Sequence, residues 1–291
     1  MLNDKLLDLL YCPVAPESKL RLKNEQRNSE LIIEGELICE QENLSFKVTH
    51  GVPDLIPYHL LSDEKWKMWQ DHLEGFQARR EQRVKKPEEV ITKMSNKSKP
   101  NRYFAEFTNI REGVMLDIGC GPGKFRHNFD PKKVHYIGLD PIILPEVDEF
   151  PFVRALAEYI PFADNTFTDV VSLSAIDHFR ELDTFFEEVI RVLKPDGRLH
   201  ILQSIHEIRG PISAAKMLTH YIKDKLEDRA TKVKNADAPK HIYEFSQRSL
   251  MDSVNKYFDV IARDTYSFKW YSPTKAFITL RPKAEIGEPV S

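Results

Sequence analysis

Apolar and polar positions are arranged in three successive ways along the chain. Over residues 1–60, short β-like runs (Leu20–Leu22, Leu31–Ile33, Glu36–Cys39 and Leu44–Val48) are separated by polar turns and closed by Gly51-Val52-Pro53. Over residues 61–112, Trp66, Trp69, Leu73 and Phe76 recur at spacings of three and four, the period of one helix face. Over residues 113–282, apolar runs alternate with amphipathic stretches. The runs Val114–Ile118, Val134–Leu139, Thr168–Leu173, Arg198–Gln203, Val260–Asp264 and Ala276–Leu280 read as strands. Leu182–Leu193 reads as a helix stopped by Lys194-Pro195-Asp196-Gly197, and Ser246–Tyr257 reads as another. Strands alternating with helices predict an α/β domain with a mostly parallel sheet and helices on its faces. The polar tail 283–291 is expected to be disordered.

Composition narrows the class. With 41% hydrophobic and 30% charged residues over 291 positions, the chain reads as globular, with enough length to bury a core without staples. The longest apolar runs, such as Leu6–Leu10 with Asp8 inside it, are too short to span a bilayer. Asp4 and Asp8 stand where a signal peptide would be basic, so a cytoplasmic location is expected. The net charge of −3 does not suit a broad nucleic-acid footprint. Residues 1–60 carry six basic against ten acidic residues, whereas Arg79–Arg102 carries nine basic against three acidic. Such a run is ordinarily a solvated helix face, and an RNA contact is the alternative.

Glycine is scarce, at 11 residues, and clustered: Gly119, Gly121 and Gly123 follow the apolar run Val114–Ile118 directly. A glycine turn after a strand lets a ligand approach backbone N–H groups. A phosphate loop would need Ser or Thr after Gly123-Lys124, and Phe125 stands there. A dinucleotide loop would place its third glycine at position 124, which is Lys. What remains is an acid, Asp117, heading G-x-G-x-G. A second acid, Asp140, ends the run His135–Leu139, where it is placed to accept from ribose hydroxyls. A ligand with a ribose and an amino-acid head, but no phosphate, suits both acids.

Residues 113–202 resemble a class I S-adenosylmethionine-dependent methyltransferase. Besides the glycine turn, Ala157–Val171 is similar to that family's third- and fourth-strand region, Ser174–His178 to the end of its fourth strand, and Phe186–Gly197 to the following helix and turn. The resemblance implies a Rossmann-like seven-stranded sheet with helices on both faces and S-adenosyl-L-methionine as cofactor. It places the methionine part against Asp117, Gly119 and Gly121, with Cys120, Gly123 and Ser174 also at cofactor-binding positions. It puts the ribose on Asp140 and the adenine near Pro141, Leu156 and Ala157. Where the family often has an Asp for the adenine amino group, this chain has Leu156, which can only pack.

Asp177 and His178 fall where the resemblance places the methyl group and are the candidate catalytic residues; the family histidine at this position is frequently structural. His206, Glu207, His241 and Tyr243 are lesser candidates. The 205–245 insertion is expected to cover the acceptor, and the Trp66–Phe76 helix and Tyr103-Phe104 to form a further wall. Residues 1–60, with Cys12, Cys39 and Gly51–Pro57, resemble the zinc ribbons of methyltransferase activator subunits. Ala15 and Glu42 stand at the second cysteine positions, so a metal-free β-rich remnant is expected, since a structural zinc needs four ligands. Residues 61–112 form the helical connector or cap.

The expected function is methyl transfer to a small-molecule or sugar-containing acceptor at oxygen. The alternatives are an rRNA or tRNA methyltransferase and a non-catalytic cofactor-binding partner subunit. No membrane contact is expected, and oligomeric state is not readable.

Overall fold

The computed structural model describes residues 1–61, 64–84, 98–143, 149–205, 215, 218–219, 222, 242–267 and 274–284. The α/β part is built on strands β7 (Gly113–Ile118), β8 (Val134–Leu139), β9 (Phe152–Val153), β10 (Phe167–Leu173), β11 (Leu193–Ile205), β12 (Phe258–Tyr266) and β13 (Thr274–Pro282). They form one sheet in the order β12-β13-β11-β10-β7-β8-β9. β7 pairs in parallel with both β8 and β10, and β10 with β11, while β13 runs antiparallel to β11 and β12. The central strands are covered on both faces, so they read as unbroken apolar runs: Met115 to Ile118 are all buried.

Preceding the sheet are the single-turn α1 (Asp4–Leu7), α2 (Glu64–Val84) and α3 (Lys99–Thr108); α4 (Leu182–Val192) and α5 (Gln247–Val254) follow within it. α4 buries Leu182, Phe185, Phe186, Val189 and Val192, the stripe that its three- and four-residue spacing foretold. α5 starts at a reciprocal cap, with Ser246 Oγ accepting from Ser249 N–H and Ser249 Oγ accepting from Ser246 N–H. Among the described residues no helix is long and apolar enough to cross a membrane.

Several elements differ from the sequence expectation. The turn after α4 is absorbed into β11: Phe167 pairs with Leu193 and Asp169 with Arg198, so Lys194–Gly197 bulges from a strand that continues through it. β9 is only two residues long and carries no readable period. Lys124–Asn128, directly after the glycine turn, forms a 3-10 turn.

The first sixty residues form the hairpin β1 (Tyr11–Cys12) with β2 (Ala15–Lys19), and the sheet β3 (Arg21–Asn28), β4 (Leu31–Cys39), β5 (Leu44–Thr49) and β6 (Val52–Pro53). The two expected runs Leu31–Ile33 and Glu36–Cys39 are one strand, β4, because Glu34 pairs with Gln26 and Thr49 on either side and Gly35 pairs with Val48. Cys12 and Cys39 are both buried, and burial beside the second thiol pushes Cys12 up to about 12. Ala15 is buried and Glu42 is exposed.

This lobe is joined to the α/β part by backbone and by core. Tyr11 N–H donates to Pro161 O at 3.0 Å, and Leu55 N–H to Arg154 O at 2.8 Å. Leu2, Leu10, Ile32 and Leu37 share one buried cluster with Leu116, Ile118, Phe162 and Phe186.

Candidate functional site

Parallel strands bring the ends of β7, β8 and β10 to one edge of the sheet, and a cleft opens there. Of the sequence candidates, Gly119, Asp140, Pro141, Leu156, Ala157, Ser174 and His178 line it. Asp117, Cys120, Gly121, Gly123 and Asp177 do not; they lie behind or beside the wall.

The glycine turn has backbone angles that L side chains resist. Gly119, Gly121 and Gly123 have φ of 72°, 52° and 62°. A Cβ on Gly119 would stand 2.4 Å from the Cβ of Ala175, itself a cleft residue. Asp140 holds this turn to the end of β8. Its Oδ2 accepts from Gly121 N–H at 2.8 Å and its Oδ1 from Ile142 N–H at 2.9 Å.

Beneath the turn, Asp117 is 1% exposed. Its Oδ2 accepts from Tyr136 O–H at 2.7 Å, while its Oδ1 is buried without a hydrogen-bond partner among the described residues. Burial pushes its carboxyl up to about 7, and the Asp140 charge adds to this; the Tyr136 bond opposes it.

A helix outside the sheet closes the cleft. Trp69, His72 and Leu73 of α2 line it, as the aromatic spacing suggested. Tyr103 and Phe104 do not; they pack on Phe277 in a separate cluster. The link between α2 and the fourth-strand turn is made at His178. Its carbonyl accepts from Trp69 Nε1–H at 3.1 Å, and its Nδ1 lies 3.1 Å from His72 Nε2, the rings stacked at 5.3 Å. Asp177 Oδ1 is 3.8 Å from His178 Nε2. His72, buried at 1% exposure, was not singled out from the sequence, because a histidine on an apolar helix face carries no signal of its own partner.

Glu158 is another cleft residue found only in the structure. Its Oε1 accepts from the N–H groups of Arg180 and Glu181 at 2.6 and 3.0 Å; burial raises its carboxyl, opposed by those bonds. Leu156 packs with Ile56, Leu61, Trp66 and Trp69. Pro141 is steadied from outside: its carbonyl accepts from Arg154 Nε–H at 3.0 Å, and Arg154 Nη1 pairs with Asp54 at 2.8 Å. Tyr243 donates to Arg180 O at 2.8 Å and does not line the cleft. His206, Glu207 and His241 lie outside the described residues, as does most of the 205–245 insertion.

A parallel sheet of this strand order, closed by one antiparallel strand and bearing a glycine turn at its cleft, defines the class I methyltransferase fold. The comparisons agree. Residues 116–201 match the family described as Methyltransferase domain, and the α/β part is a class I S-adenosylmethionine-dependent methyltransferase domain. An uncharacterized methyltransferase of Mycolicibacterium vanbaalenii is 28% identical over 179 residues, 58% of this chain and 65% of that one. The ubiquinone/menaquinone biosynthesis C-methyltransferase of Haemophilus ducreyi is 31% identical over 128 residues, 38% of this chain and 49% of that one. The chain thus spans between about half and two thirds of these relatives' lengths. A possible histamine N-methyltransferase of Thermotoga maritima superposes with a TM-score of 0.51 at 21% identity, over 74% of this chain and all of that one.

The cofactor of this domain is S-adenosylmethionine, and the residues present fit it. The buried Asp117 Oδ1 is an acceptor without a hydrogen-bond partner among the described residues, and Gly119 brings backbone without a side chain to the cleft wall. Ile142 and Leu156 offer apolar walls for a flat ring.

Proposed function

We propose that the protein methylates a hydroxyl of a small-molecule or sugar-containing acceptor. The relatives' names cover carbon and nitrogen acceptors, so they do not choose the atom. The observation that carries the choice is the His72–His178 pair on the cleft wall. A hydroxyl must lose its proton as it becomes a nucleophile, whereas an amine with a free lone pair needs no base.

In this reading Asp140, on the cleft wall, takes the ribose hydroxyls. Pro141, Leu156 and Ala157 bound the adenine, without a side-chain acceptor for its amino group. Gly119 and Gly121 offer backbone to the methionine head, with Cys120, Gly123 and Ser174 shaping that end. Asp117 acts from beneath the turn. When bound, S-adenosylmethionine supplies an electrophilic methyl group that departs from a sulfonium, leaving a neutral thioether. His178 receives the hydroxyl proton as the acceptor oxygen attacks. The charge spreads to His72 through the Nδ1–Nε2 contact and is offset by Asp177. α2 excludes water and fixes the His178 ring, so that alignment supplies much of the acceleration.

The test incubates the protein with methyl-labelled cofactor and separated metabolite and RNA pools. Label in an oxygen-methylated small product supports the reading, and label in RNA replaces it with RNA methylation. Cofactor binding without any label indicates a non-catalytic partner. A pH–rate profile that loses its lower limb in His178→Gln is the further expectation.

A further inference from the structure

Lys275 is the second residue of β13 and faces Ser204 across the β11–β13 ladder. Its ammonium donates to Ser204 Oγ at 2.6 Å and, more weakly, to Ser174 Oγ at 3.4 Å. Ser174 lines the cofactor cleft and is held in a left-handed conformation, φ 53°. Through Ser174 the three side chains adjoin the cleft wall, at the ends of β10 and β11, on the edge where the strand ends open.

The hydrogen-bonding balance of this cluster is one-sided. A hydroxyl that accepts from an ammonium directs its own proton elsewhere. Lys275, Ser174 and Ser204 together thus present N–H and O–H donors. Burial pushes the lysine below its ordinary range, while the charge of Asp177 favours the ammonium. Withdrawing an ammonium from water is costly unless an anion or hydrogen bonds compensate. The carboxylates of the cleft wall beside this cluster are Asp140 and Glu158. A single cation among acids suits a monoanion, not a phosphate dianion.

We propose that Lys275, Ser174 and Ser204 form an anion subsite that selects a methyl acceptor bearing a carboxylate. The inference rests on the methyl-transfer reading and adds to it the charge of the acceptor. The carboxylate takes N–H and O–H donors on its two oxygens, which orients the rest of the acceptor toward His178 and the cofactor. Lys275 serves as a cation here and not as the base, because two hydroxyl acceptors and Asp177 hold its proton.

Full-length protein saturated with S-adenosylhomocysteine is titrated by calorimetry with benzoate, with benzamide as its neutral counterpart, and with inorganic phosphate. Benzoate is expected to bind at least about tenfold more tightly than benzamide, the effect of one charge-assisted hydrogen bond. Lys275→Met should erase that preference and Lys275→Arg should restore part of it. Equal or absent binding of benzoate and benzamide, preference for phosphate, or an unaltered preference in Lys275→Met overturns the subsite. If Lys275→Met fails to fold, the wild-type preference and its reduction in Lys275→Arg decide the matter. Failure of S-adenosylhomocysteine to bind the wild type would instead strike the cofactor reading, so the two failures are told apart.

Discussion

Asp140 and Asp117 sit close together at the end of β7 and β8 and do different work. Asp140 satisfies two backbone donors, Gly121 N–H and Ile142 N–H, and so shapes the turn as well as facing the cleft. Asp140→Ala is expected to weaken S-adenosylhomocysteine binding by at least about tenfold and to lower stability by ~1–3 kcal/mol, the cost of stranding buried donors. Calorimetry and thermal melting check the two effects separately. Asp117 instead registers pH. Its folded pKa of about 7 stands above the ordinary 3.8, so the folded protein holds this proton more tightly than the unfolded chain. Stability from this group is complete below about pH 4 and is lost as pH rises toward 7. Asp117→Asn should flatten that decline in denaturant titrations between pH 4 and 7; an unchanged slope would assign it to another group. At Gly119, alanine must enter with φ 72° and a Cβ 2.4 Å from Ala175. Gly119→Ala is therefore expected to abolish measurable cofactor binding.

Among the elements, α2 is the one whose role the linear pattern undersold. Its aromatic spacing identified a helix, but spacing alone does not say which surface a helix covers. Trp69 and His72 meet His178 across 109 and 106 residues of chain, a juxtaposition made by docking. The strands behaved differently. β7, β8 and β10 were legible because a strand buried on both faces must be apolar throughout, whereas the two residues of β9 are too few to show any period. Between β6 and β9, Arg154 bridges two units: it pairs with Asp54 of the N-terminal lobe and donates to Pro141 O on the cleft wall. Arg154→Ala should loosen that wall and weaken S-adenosylhomocysteine several-fold. A double-mutant cycle with Asp54→Ala should return coupling of about 0.5–3 kcal/mol, as neighbours in one network do.

At the scale of the molecule, the change of pattern near residue 60 marks a change of architecture and not of core. Leu2, Leu10 and Leu37 share a buried cluster with Leu116 and Phe162, so the lobe completes one face of the larger unit. Deleting residues 1–57 is expected to leave insoluble or molten protein, read by expression and near-ultraviolet dichroism; a cooperative, native-like melt would contradict the shared core. Elemental analysis of the purified protein should find no stoichiometric zinc, since Ala15 offers no donor to join Cys12 and Cys39 and Glu42 is exposed.

By itself the sequence determined the α/β class, the central strands and the glycine turn with its two acids. Those features are local, set by side-chain period and by backbone angles that only glycine adopts cheaply. Which candidates line a common cleft, the pairing of His72 with His178, the reach of Lys275 to Ser174 and the seam at Arg154 were decided only by the tertiary structure. Each joins residues distant in the chain, and strand order and helix docking, which no local spacing encodes, bring them together.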